Sequence, residues 1–165
     1  MASEPMADFD DMTAQWNELR TSSDAGDLMR RFGEFHDGCI HEMHVWTGDY
    51  VSERHGMGFG RRTTVRVLVQ RQRSPLSAIE LLFVGVRRFQ LVPPKPDCVG
   101  LIFEATLRPL DGGWLWRPDP GGEHGELVES ESTFVSARRL FWRDASEWMG
   151  ETSRYGPDQP ALDAP

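Results

Sequence analysis

Three of the five histidines fall within Phe35-His36-Asp37-Gly38-Cys39-Ile40-His41-Glu42-Met43-His44-Val45-Trp46. Histidine beside carboxylate is the chemistry of metal ligation and of general acid–base work. His41-Glu42-Met43-His44 departs from the helical zinc-protease spacing, which needs its second histidine four positions after the first. On a strand, residues three apart point to opposite faces, so His41 and His44 cannot share an ion without a bulge. No metal is expected here. The better cluster is His36 and Asp37 with His44, a polar lining for a small-ligand pocket to which Arg87 or Arg88 could add positive charge. Asp37-Gly38 is equally explained as a turn in which the aspartate bonds its own backbone.

Other reactive signatures are sparse. Seventeen of the eighteen Lys and Arg residues are Arg, and the single lysine, Lys95, stands in Pro93-Pro94-Lys95-Pro96, where neither a phosphate loop nor a desolvated Schiff-base lysine is expected. Gly56, Gly58 and Gly60 would need a further glycine at position 61, which is Arg61, to read as a dinucleotide fingerprint, so a hairpin loop is expected instead. No Gly-x-Ser-x-Gly occurs, and Cys39 and Cys98 lack C-x-x-C spacing and read as buried free thiols. The six tryptophans (16, 46, 114, 116, 142, 148) read as core and sheet packing. Val86-Arg87-Arg88-Phe89 and Ala137-Arg138-Arg139-Leu140 echo one another, too briefly to establish a duplication.

The elements that must position these residues follow from periodicity. Phe9, Met12, Trp16 and Leu19 share one face of a helix that opens on Asp8, Asp10 and Asp11. Thr21-Ser22-Ser23-Asp24 caps a second helix carrying Leu28, Met29, Phe32 and Phe35 and ending before His36. Strands are expected over 39–47, over 63–72 with Val65, Val67 and Val69 on one face, from Ile79 past a bulge at Gly85 to Leu91, over 99–107, at 114–116 after the Asp111-Gly112-Gly113 turn, and over 133–142. A short helix follows at 144–149. Strands in succession through short turns, without crossover helices, imply an antiparallel meander. The expected fold is α+β: two N-terminal helices packed on a six-stranded meander sheet that may curl toward a barrel. It forms a single domain over 1–150, with 1–7 disordered and 151–165 a disordered tail.

At 165 residues and 39% apolar content the chain can bury one sizeable core. No apolar run is long enough to span a bilayer, and the acidic N-terminus does not read as a secretory signal, so a cytoplasmic location is expected. The net charge of −8 argues against general nucleic-acid binding. Its distribution is uneven, with six acids against ten bases over 38–108 between two flanks of −6 each.

Phe35 to Ile40, read as Phe-His-Asp-x-x-Ile opening a strand, and Ile79 to Val86, read as Ile-Glu-Leu-x-Phe-x-Gly-Val with Leu91 beyond it, resemble uncharacterised bacterial β-rich proteins, some similar to immunity proteins of toxin systems. The resemblance spans about residues 32–108 and implies a non-enzymatic, protein-binding module without cofactor. On that reading the acidic residues Asp119, Glu123, Glu126, Glu129 and Glu131 face a basic protein partner. Two alternatives stand beside it. One is an enzyme or ligand binder with its pocket near the His36-Asp37 turn. The other is RNA binding by the basic middle, with aromatics interleaved among Arg66, Arg71 and Arg73.

Overall fold

A computed structural model describes residues 16–96, 99–118 and 132–155. The fold is mostly β, with 46% of the described residues in strands and one α-helix among them. The strands are β1 (Asn17–Glu18), β2 (Gly38–Trp46), β3 (Tyr50–Val51), β4 (Met57–Gly58), β5 (Thr64–Arg71), β6 (Ala78–Gln90), β7 (Thr106–Leu110), β8 (Gly113–Arg117) and β9 (Phe134–Asp144); the helix, α1, is Ser22–Arg31. A seven-stranded antiparallel sheet runs β2-β5-β6-β9-β8-β7, and β1 also pairs with β9. It does not close into a barrel.

The expected α+β fold, two N-terminal helices on a six-stranded meander curling toward a barrel, is corrected by this topology. Trp16 to Leu19 do not end a helix. They are extended, with Asn17 opposite Trp142 and Glu18 opposite Phe141, and the Leu19 amide donates to Leu140 O at 2.9 Å. The local three- and four-residue spacing is overridden by a free edge of β9, against which a short strand satisfies its backbone groups. Nor is the sheet a simple meander, because β9 lies between β6 and β8 rather than at an edge. Its first half pairs with β8 and its second half with β1, so one long strand closes both gaps on that side. The helix expected at 144–149 is a turn, and the strand expected from Val99 begins only at Thr106.

The remaining helix forms where its caps lie. The Thr21 side chain accepts from the Asp24 amide and Asp24 reaches back to the Thr21 amide, a reciprocal capping box, while Arg30 and Arg31 close the last turn. Its apolar side packs Ala25 and Leu28, with Phe32 and Phe35 beyond, onto Val65, Val67 and Val69 of β5 and Ile79, Leu81 and Phe83 of β6. Trp116 is fully buried at the centre of this layer, 5.7 Å from Phe35 and 6.0 Å from Phe83 between ring centroids.

The opposite face of the sheet is also covered, which is why β6 reads as a nearly unbroken apolar run. Trp16 packs with Leu82, Val84 and Phe141, and residues 145–155 lie over Leu68 and Ala78 through Ala145, Trp148 and Tyr155. Residues 151–155, which composition assigns to a tail, are thus clasped to the sheet. Glu42 holds them, accepting from the Arg154 amide at 2.6 Å, the Tyr155 amide at 3.0 Å and the Ser153 hydroxyl at 3.2 Å.

Beneath this strap sits Glu80, fully buried, between two arginines. Arg143 is its direct cross-strand partner and donates from Nε at 2.6 Å; Arg66 reaches it diagonally across β5, with Nε 2.7 Å from the carboxylate. The Arg143 guanidinium lies between the Trp16 ring at 4.6 Å and the Trp148 ring at 5.0 Å, and Arg66 lies over Tyr155 at 5.2 Å. Burial, then the negative charge of Glu80, pushes the Tyr155 phenol well above its ordinary pKa.

Removing one member of such a buried set leaves the others uncompensated, at a cost of about 3 kcal/mol. Glu80→Ala is expected to lower the urea-unfolding free energy by that amount. The triple replacement Arg66→Met/Glu80→Leu/Arg143→Met, which removes all the charge at similar volume, is expected to cost less than the single change. A larger loss in the triple variant would contradict this account.

Candidate functional site

The residues between β2 and β5, where the glycine spacing predicts a hairpin loop, form a two-stranded hairpin of their own. Tyr50 pairs with Gly58 and Val51 with Met57 in a separate two-stranded hairpin, β3–β4, outside the main sheet. Its base is pinched: a Cβ on Gly60 would come within 2.5 Å of the Gly48 backbone, so both glycines are required by close approach of the two chains. Asp49 accepts from the Gly60 amide at 2.8 Å and locks the same point. The Tyr50 ring lies on Gly58, where any side chain would collide with it.

This hairpin exposes apolar side chains. Phe59 is 77% exposed, Tyr50 and Met57 62%, Val51 59% and Trp46 57%. Trp46 therefore does not join the core as expected of it. It sits at the end of β2, opposite Thr64, where the sheet stops and the hairpin begins.

Between the hairpin and the second face of the sheet runs an open groove of about 1480 Å³, with Trp46, Tyr50 and Phe59 on one wall and Trp16, Glu18 and Phe141 on the other. Its end continues, through Gly60, Arg61, Arg62, Val84 and Arg139, into a second hollow of about 450 Å³ lined also by Arg87 and Arg138. Five arginines face this hollow against one acid, Asp49. The echoing Val-Arg-Arg and Ala-Arg-Arg segments meet here, because Val86 lies opposite Ala137 on β6 and β9. Gly85 shapes the meeting point. It has φ of +68°, and its amide and that of Val86 both donate to Thr63 O, a bulge after which the β6–β9 register shifts. The stem of Arg138 crosses Gly85 so closely that a Cβ there would lie 3.3–3.4 Å from it.

Among the arginines, Arg139 is bound to Glu18 at 2.7 Å, and Glu18 also meets Arg20 at 3.0 Å. The hydrogen bond from Arg139 is the main cause of the lowered pKa of Glu18. Arg87 donates to Asp111 O at 2.6 Å. Arg61, Arg62 and Arg138 make no ion pair among the described residues.

No family model matches the chain, and no curated protein or solved structure matches it.

The residues singled out from sequence are dispersed. His36 Nδ1 lies 3.1 Å from Asp37, which also binds Arg73 at 3.2 Å; this group sits at the turn entering β2. His44 is seven residues further along the chain, roughly 23 Å at strand rise, and packs on Tyr155. Arg87 and Arg88 lie at the far end of β6 from the Asp37 turn, with Arg88 over Phe134 at 5.5 Å. The pocket expected from His36, Asp37, His44 and these arginines therefore does not assemble. A bulge does occur at His41, between Ile40 and Glu42, and with it His41 and His44 both meet the 151–155 strap, where His41 Nε2 lies 3.3 Å from Thr152 O and His44 packs on Tyr155. Arg66, Arg71 and Arg73 share no face: Arg66 binds Glu80, Arg71 stacks on Phe32 at 4.6 Å, and Arg73 binds Asp37. Burial raises the pKa of the Cys39 thiol. Asp119, Glu123, Glu126, Glu129, Glu131 and Cys98 lie outside the described residues.

Two outcomes follow from this geometry. Gly85→Ala forces an L-residue into the left-handed region and displaces Arg138, and is expected to cost about 1–2 kcal/mol in urea unfolding from the backbone alone. For Glu18 the folded-state pKa is depressed, so its contribution is full above the ordinary glutamate range and is lost as pH falls through the depressed value. Amide exchange at Leu19 and Leu140 should accelerate as pH drops through that window after correction for intrinsic rates. Glu18→Gln should abolish the pH-dependent part.

Proposed function

We propose that the protein is a non-enzymatic binding module that takes an acidic protein partner on the hairpin and its groove. The observation that carries this is the concentration of exposed Tyr50, Val51, Met57 and Phe59 on the hairpin, with Trp46 at its base, beside unpaired arginines. Exposed apolar patches with a charged border mark interaction surfaces, and aromatic and arginine side chains supply most of the binding energy at such surfaces. The groove, at about 1480 Å³, exceeds the roughly 300–1,000 Å³ of small-molecule sites and suits a segment of a larger partner. Net charge of −8 opposes a long polyanion, whereas a local arginine field still attracts a short acidic segment. Protein binding is also what the resemblance to immunity proteins implies, although that reading placed a basic partner on the acidic residues of 119–131.

Capture from a nuclease-treated lysate at low salt, quantified by mass spectrometry, separates these choices. Acidic proteins should be retained by the wild type and depleted at least tenfold by Tyr50→Ser/Phe59→Ser and by Arg61→Glu/Arg62→Glu, with thermal unfolding unchanged. Retention of basic proteins that survives both double variants would overturn the hairpin surface in favour of the 119–131 segment. Capture that appears only from a parallel lysate left without nuclease would assign the surface to nucleic acid.

A further inference from the structure

We propose that the arginine hollow at the base of the hairpin is a phosphoryl-binding site, taking a phosphorylated side chain of the partner that docks in the adjoining groove. This rests on the protein-binding reading for its source of phosphate, though the site itself rests on separate geometry. Arg61, Arg62, Arg87, Arg138 and Arg139 converge on about 450 Å³ with Asp49 as the one acid. Asp49 is already engaged by the Gly60 amide, and Glu18 neutralises only Arg139. Arg61, Arg62, Arg87 and Arg138 are left without a counter-charge among the described residues; Arg87 is held by the Asp111 carbonyl, whereas Arg61, Arg62 and Arg138 have no hydrogen-bond partner there.

Like charges gathered at one hollow raise each other's energy, and a bound anion relieves this. A single carboxylate has two oxygens and satisfies one guanidinium fork. A phosphoryl dianion has three acceptor oxygens and can engage three forks at once, which matches the number left unpaired. Guanidinium rather than ammonium is the group suited to bidentate phosphate recognition, and every basic residue of the hollow is arginine. The volume admits the phosphoryl group together with the side chain that carries it. Continuity with the aromatic groove through Gly60, Arg61 and Arg62 lets neighbouring apolar residues of the partner reach Tyr50 and Phe59.

The test follows arginine Nε–Hε NMR signals of the full chain at constant ionic strength. The titrants are inorganic phosphate, acetate, and a short peptide with phosphoserine between apolar residues, alongside its glutamate counterpart. Phosphate should shift a subset of signals saturably, and the phosphopeptide should do so more strongly above about pH 6, near the second pKa of a phosphorylated side chain, than below it. The phosphopeptide should bind at least tenfold more tightly than either phosphate or the glutamate peptide. Arg62→Met and Arg138→Met, both at exposed positions, should each weaken phosphate binding at least fivefold while thermal unfolding is unchanged. Acetate acting as strongly as phosphate, or unaltered binding in both variants, overturns the site. A phosphopeptide no tighter than free phosphate overturns its assignment to a partner protein, as does a single-stranded oligonucleotide that displaces the phosphopeptide at lower concentration. Failure of acidic-protein capture with phosphate binding intact sinks the protein-binding reading alone; intact capture with no phosphate binding sinks this site alone.

Discussion

A carboxylate with no exposure to water has to be matched inside the protein, and Glu80 sets that requirement near the start of the longest strand. Arg143 and Arg66 meet it from the strands on either side, so one charge ties β5, β6 and β9 in a single register. A slip of one residue along either pairing would turn Glu80 away from both arginines and move every neighbouring side chain to the other face. The tryptophans follow from the same constraint. Arg143 needs cover that attracts a cation, and Trp16 and Trp148 provide it from two distant parts of the chain. The strap held by Glu42 brings Tyr155 over Arg66. What looks like decoration of the second face is the enclosure of one ion cluster.

That enclosure also divides the sheet's second face by function. One part, under the strap, is committed to structure. The other, around Leu82, Val84 and Phe141, is only partly roofed by Trp16 and continues into the groove under the hairpin. The arginines divide in the same way: Arg66, Arg143 and Arg139 are matched by Glu80 and Glu18, and Arg61, Arg62 and Arg138 at the hairpin base have no partner among the described residues.

Local rules were readable wherever a residue's neighbours in sequence decide its conformation. The Thr21–Asp24 capping box, the valine alternation of β5, the Asp111-Gly112 turn with both residues at positive φ, and the bulge at Gly85 all belong to this class. What escaped depends on partners far away in the chain. Trp16 to Leu19 have helical spacing but meet β9 more than a hundred residues later. Glu80 stands in an apolar run and gives no sign of the arginines at 66 and 143 that neutralise it. The arginines of the hollow come from three separate segments, and their charges cluster because the pairing of Val86 with Ala137 brings Arg87 beside Arg138 and Arg139. The exposure of Trp46 was hidden for a different reason: apolar character alone does not distinguish a core residue from one kept at the surface for contact.

The central position of β9 orders events in time during synthesis. β6 ends at Gln90 and its inner partner does not begin until Phe134, so a thirteen-residue strand waits for a long stretch of translation with one edge unpaired. Such an edge is a template for pairing with other chains. Arg87 and Arg88 lie among the last residues of that waiting edge, where charged side chains disfavour pairing with another chain.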